Sequence, residues 1–428
     1  MNLDDLAWHA KGNGGLPKRT VDVLLEHGQL EVVIRAAVER GEWVCALAAV
    51  RELCAAGEFR RAEDVMAPFM EIGWQPAVWE TARILVWAGR AEEGLALVPR
   101  GETEPLSAED RRGLAELLAE VGRVDEAIDL LAPVLDEDGM AHCLVQVTEG
   151  QGRDERVLGL IRPGRPLRAR VLERAGRLDE AIRVLRGSII VRDTVMVGTL
   201  EDLAELLVRH GRMEELHEQV TGPYARHTVK HYVRALRERD REAEAEVLLR
   251  EFIAAERYPE AYRWLLIELL VRQGRFGDAE EVARPTYGHF QNGLLESLVH
   301  TLVEAGQADV ALRIVEELDA AKALDAESDW ALTNRVWLLG QAGRYEEALA
   351  YAATLPPEEQ PSTDLVVAGV LECLGRVDEA VELLRTGEGS SPWEAVEVLA
   401  RHGRGAEGLA GMPSFADERE ARRRRFGW

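Results

Sequence analysis

The sequence predicts an all-α fold, an array of stacked antiparallel helix hairpins, on three observations. Near-identical words recur far apart: "VGRVDEAIDLLA" at residues 121–132 returns as "LGRVDEAVELLR" at residues 374–385, and "AGRLDEAIRVLR" occupies residues 175–186. The glycines in these words and their weaker copies are Gly57, Gly89, Gly122, Gly152, Gly176, Gly211, Gly274, Gly306, Gly343, Gly375 and Gly403. Most lie about 32 to 35 residues apart, the period of a helical-repeat solenoid. The apolar spacing on both sides of each glycine is helical.

The elements follow from that anchor. Four residues before it stands leucine (Leu53, Leu85, Leu118, Leu172, Leu207, Leu270, Leu302, Leu339, Leu371, Leu399), and seven before it a small or branched apolar residue, such as Ala82, Ala115 or Val299. At about 100° per residue these offsets share one helix face. Glycine ends that helix, because it adopts the left-handed C-cap conformation without a Cβ penalty. Five residues later comes alanine (Ala62, Ala127, Ala181, Ala279, Ala311, Ala348, Ala380), small enough for two helices to cross closely. One hairpin cannot cover its own apolar flanks, so neighbours must stack. The gap between Gly211 and Gly274 predicts one more copy, with Asp240 in place of the glycine, and residues 26–41 hold one or two degraded copies. About twelve or thirteen hairpins result, in three segments: a lead-in over residues 1–20, the array over 21–411, and a basic, flexible tail over 412–428. Ser107 with Asp110, and Ser391 with Glu394, read as helix-starting capping boxes. Residues 186–200, "RGSIIVRDTVMVGTL", are the one strand-like stretch, read as an irregular helix start.

Composition narrows the role. Across 428 residues the formal net charge is −25, which repels phosphate backbones and anionic membranes and attracts basic partners. The four cysteines have no paired metal spacing and suit a reducing compartment. With no export signal at the start and no membrane-length apolar run, a cytoplasmic protein is expected.

The glycine before an acidic turn, the alanine five residues on and the small residue seven before together resemble the tetratricopeptide repeat family, over about residues 20 to 410. The resemblance implies a right-handed superhelix whose first helices line a concave groove, and a partner that is a protein or peptide. Leucines mostly replace that family's aromatic positions. Residues 63–97 look more like one pentatricopeptide repeat, a family that binds RNA; the acidic balance disfavours nucleic acid here.

Positions six and ten before the glycine would face that groove. They bring Trp79, Trp264, Trp337 and Trp393 together with Glu116, Glu201, Glu205, Glu268, Glu296 and Glu397, interrupted by Arg83, Arg112 and Arg170. Tryptophan faces attract cations and carboxylates pair with them, so the expected ligand is an extended peptide bearing arginine or lysine. Against that stands a structural reading in which these tryptophans merely pack on the next hairpin. Arg422, Arg423, Arg424, Arg425, Phe426 and Trp428 form a cationic, aromatic tail that would dock into an acidic groove, giving autoinhibition or a ring or filament of copies. The readings carried forward are a non-enzymatic scaffold, a self-assembling structural protein and an RNA-binding solenoid.

No nucleotide-binding, metalloprotease or serine-hydrolase motif occurs, and no cofactor or enzymatic activity is expected. His227 and His231 share a helix face but lack a third ligand. His27, His210 and His402 each precede a turn glycine, where the negative end of the helix dipole favours them.

Overall fold

The glycine-marked turns that follow a buried leucine close in the same way. In the computed structural model Gly122 sits at φ +82° and Gly176 at φ +73°. The left-handed turn swings the next amide back onto the buried leucine four residues before the glycine: Arg123 N–H donates to Leu118 O at 2.7 Å, and Arg177 N–H to Leu172 O at 2.8 Å. Asp240 takes over where glycine is missing, at φ +56°, and Arg241 N–H reaches Leu236 O at 2.9 Å.

The structure describes residues 2–11, 15–99, 105–191, 193–255, 259–284, 291–320, 330–355, 363–387 and 392–426. Among them thirteen helix hairpins follow one another, from Lys18–Glu26 with Leu30–Arg40 to Pro392–Arg401 with Gly405–Ala410, and a single helix precedes and follows the series. The anchor leucines are all buried, and the alanines five residues past the glycine have no exposed surface. Ser107 caps its helix by accepting from Asp110 N–H at 3.1 Å; Ser391 lies outside the described residues. No helix among the described residues is long and apolar enough to cross a membrane.

The chain forms two compact units, one of residues 1–153 with 367–428 and one of residues 154–366. In the first unit the first and last hairpins are neighbours. Val396, Ala400, Leu409 and Met412 enter one core with Leu6, Val21, Leu24, Val33 and Ala36. Thr20 Oγ1 donates to the buried Glu397 carboxylate at 3.0 Å, and Arg19 lies 3.4 Å from its other oxygen. The Gln29 amide bridges Ala400 O and Gly405 N–H. The final segment, which the sequence reads as a tail, is helical over Phe415–Phe426, and its first turns meet the opening helix Leu3–Ala10. His9 stacks on Phe415 with ring centroids 4.6 Å apart, and its Nε2 lies 2.6 Å from Glu418.

The second unit contains the other departure from expectation. Ile190–Val191 and Thr194–Val195 pair as the two short antiparallel strands of a β-hairpin, with Ile190 opposite Val195 and Val191 opposite Thr194. Asp193 takes φ +63° just before the second strand, and the branched residues Ile190, Val191, Thr194 and Val195 favour the extended strands.

Where an arginine follows the turn glycine, it couples hairpins. It grips the acidic residue three positions on, as in Arg177–Glu180 at 2.7 Å and Arg404–Glu407 at 2.9 Å. It also reaches the preceding hairpin: Arg90 to Glu63 at 2.9 Å, Arg153 to Asp125 at 2.9 Å and Arg275 to Glu246 at 2.6 Å. Exposed pairs of this kind contribute little singly, and here they line the turn edge of the array.

The histidines before the glycine do more than sit at a helix end. His210 and Arg209 share Glu173 of the preceding hairpin, both at 2.9 Å; His402 and Arg401 share Glu372 at 3.1 and 2.7 Å. Burial pushes both carboxyls up, but hydrogen bonds from the arginine and histidine outweigh it and leave their pKa values below the ordinary 4.5. Their stabilisation is therefore complete above that value and disappears as pH falls through the lowered folded values. Acid unfolding followed by circular dichroism is expected to begin below about pH 4.5. Glu173→Gln with Glu372→Gln should flatten that slope; an unchanged acid limb would remove these carboxylates as its cause.

Candidate functional site

Outward side chains of successive first helices in the second unit meet one another. Lys230 on Ala225–Arg237 reaches Glu201 on Val197–Arg209 at 2.6 Å, and Arg237 reaches Glu268 on Glu260–Arg272 at 2.5 Å. Further along, His300 on Gln291–Glu304 tilts against Trp337 on Trp330–Gln341, ring centroids 4.9 Å apart. The row exists because the opposite helix faces are consumed by the core. In Glu260–Arg272 the residues Tyr262, Leu265, Leu266, Leu269 and Leu270 are all buried, which turns position 264 toward water.

Trp264 is 45% exposed there, and it and Trp337 are placed differently from the other two tryptophans. Trp337 is half-buried against His300. Trp79 is half-buried and lies over Gly113 of the next hairpin, where a Cβ would come within 2.9 Å of its ring. Trp393 packs against the shared core of the first and last hairpins.

The carboxylates divide in the same way. Glu397 is buried under Thr20 and belongs to the end-to-end contact. Glu116 is held by Arg83, which also meets Glu80 and Glu120, at 3.2, 2.8 and 3.4 Å respectively. Glu201 and Glu268 are paired as above. Glu205 and Glu296 are exposed, with their nearest cations, Arg209 and His300, at 3.9 and 4.0 Å. The lining is thus a mixed acidic and basic row, because cations on one helix stand opposite the acids of the next; position-by-position reading counts the acids and misses this.

Arg423 and Arg424 of the final helix are exposed, and Arg424 pairs with Glu420. The side chains of Arg422, Arg425 and Phe426, and all of Trp428, lie outside the described residues. His231 is buried, and burial lowers its pKa; Arg226 Nε donates to His227 Nε2 at 3.0 Å. Trp87, which the spacing did not single out, is 43% exposed.

No family model matches the chain, and no curated protein matches it. Solved structures of helical-repeat proteins do. The Naa15/Naa10 complex bound to HypK-THB is 13% identical at a TM-score of 0.37, over 88% of this chain and 70% of that one. Maize PPR10, a pentatricopeptide repeat protein, is 17% identical at 0.39, over 92% of this chain and 62% of its own, so the chain spans less than two thirds of it. Yeast Tom70 is 10% identical at 0.31, over 96% and 97%. At these scores the likeness adds nothing to what the hairpins themselves establish, an all-α helical-repeat architecture.

Proposed function

We propose that this protein is a non-enzymatic scaffold that captures an extended protein segment on the first-helix row of residues 154–366. The observation that carries this reading is Trp264. An indole 45% exposed leaves on the order of 100 Å² of ring in water. A partner that covers it gains roughly 2–3 kcal/mol. Trp337 and His300 extend the aromatic surface along the row, and the exposed Glu205 and Glu296 favour arginine or lysine on the incoming segment. Trp264 is the anchor in this reading, Trp337 its neighbour, and Glu205 and Glu296 set the charge preference. Glu201 and Glu268 serve through the cations they hold.

Isothermal titration with a series of extended, arginine-bearing peptides tests it. Trp264→Ala is expected to weaken binding at least about tenfold, since losing one aromatic anchor costs more than about 1.4 kcal/mol, with the thermal midpoint held. Trp393→Ala is expected to lower the midpoint instead, because that ring packs on the core. Unchanged affinity in Trp264→Ala, or its unfolding, would overturn the proposal.

A further inference from the structure

The β-hairpin of residues 190–195 is not absorbed by that reading. Four of the large apolar side chains that stand most exposed in the protein belong to it or to the residues that leave it: Ile190 at 54%, Val191 at 46%, Met196 at 43% and Val197 at 39%. At its base the buried Ser188 hydroxyl lies between two acceptors, Val184 O of its own helix at 2.8 Å and Gly164 O at 2.9 Å, which sets the hairpin beside the loop of Gly164.

Register determines what its edges offer. Met196 N–H donates to Ile189 O at 2.8 Å, and hydrogen-bonded and non-hydrogen-bonded pairs alternate along an antiparallel ladder. Ile190 and Val195 therefore form a non-hydrogen-bonded pair, and their amides and carbonyls point outward, one donor and one acceptor on each edge. Ile190 and Val191 project to opposite faces of the pleat. Apolar side chains on both faces beside an open edge suit an added strand. A lipid surface would want one apolar face and could not satisfy the edge.

Charge defines the partner further. Between residues 154 and 192 stand ten arginines against five carboxylates, in a chain whose net charge is −25. The Ser188 contact sets the loop of Arg162 and Arg165 beside the base of the hairpin, and Arg183 and Arg186 line the helix that leads into it. Arg186 also meets Glu215 at 2.8 Å, which leaves part of its guanidinium donor set for another carboxylate. Elsewhere the surface repels acidic chains, so this zone would select them.

We propose that the Ile190 edge is a docking site for an extended, acidic and apolar segment of a partner protein, added to the hairpin as a third strand. The charge preference is opposite to that of the Trp264 row, so either site can fail without the other.

The test uses the full chain and an N-acetylated octapeptide alternating glutamate with valine. It is expected to bind, to slow hydrogen exchange at the Ile190 amide, and to weaken at least about tenfold between 50 and 500 mM salt as screening sets in. Ile190→Asp with Val191→Asp should abolish binding without moving the thermal midpoint. Arg162→Glu with Arg165→Glu, which leaves the strands untouched, should weaken it at least about tenfold, while Trp264→Ala should not change it. Equal binding of a lysine–valine octapeptide, unchanged exchange at Ile190, or preferential binding of phosphatidylserine vesicles over the acidic peptide would overturn the proposal.

Discussion

Replacing Gly94 by valine is expected to destabilise the unit of residues 1–153 and 367–428 by about 3 kcal/mol or more, as overpacking does when backbone must move. Gly94 stands five residues after Gly89, the position that other hairpins fill with fully buried alanine. Here the crossing is closer still. A Cβ at Gly94 would come 2.6 Å from the carbonyl oxygen of Ala82 and 3.2 Å from Val86 Cγ2. Val86 can shift, but the Ala82 carbonyl cannot, because it is part of helix Gln75–Trp87. Two opposing terms decide the sign. Losing a helical glycine gains up to about 1 kcal/mol of propensity, whereas separating the helices opens the packing of Ala77, Ile84, Leu85 and Leu95. The second wins for valine, and by a smaller margin for alanine. Gly89→Ala separates packing from backbone strain: nothing lies within 4 Å of its Cβ, yet φ is +78°, and the cost should be about 1–2 kcal/mol. Urea midpoints measure all three. An unmoved midpoint in Gly94→Val would mean that the helices do not approach this closely.

That crossing was legible in the sequence because it is local. Glycine, the leucine before it and the small residue after it lie within one hairpin, and each helix needs the same solution, so twelve letters specify the turn, the buried face and the crossing. Asp240 was legible for the same reason, its flanks being intact. The contacts that failed to show are those between residues distant in sequence or divided between helices. Nothing near Thr20 or Gln29 points to Glu397 or Ala400. Trp79, Trp264 and Trp393 occupy the same register position, yet Gly113 covers one, a core takes another and water meets the third. The acids six and ten before the glycine looked like one acidic lining because their partners, Lys230, Arg237 and Arg83, sit on other helices. The strands Ile190–Val191 and Thr194–Val195 did leave a signal, two pairs of branched residues on either side of "RD", and the surrounding helical periodicity overrode it.

Removing residues 392–428 is expected to abolish the cooperative unfolding transition of the first unit. The terminal hairpin of an open stack has one neighbour, and its loss costs one interface. The hairpin Pro392–Ala410 has two, for its first helix packs on Val377–Thr386 and on Lys18–Glu26. Deletion strips Val396, Leu409 and Met412 from the core they share with Leu6, Leu24 and Val33. At about 1.5–3 kcal/mol for each large side chain, roughly 5–9 kcal/mol is lost, comparable with the whole stability of a typical domain. It also leaves Thr20 without Glu397 and His9 without Glu418, polar groups that the intact chain keeps satisfied. The truncated protein should bind a hydrophobic dye and show one calorimetric transition fewer than the full chain, the surviving one belonging to residues 154–366. Gln29→Ala provides a milder test, losing two bridging hydrogen bonds and about 1–3 kcal/mol. If truncation left the transitions unchanged, the joining of first and last hairpins would contribute nothing to stability, and the array would behave as an open stack.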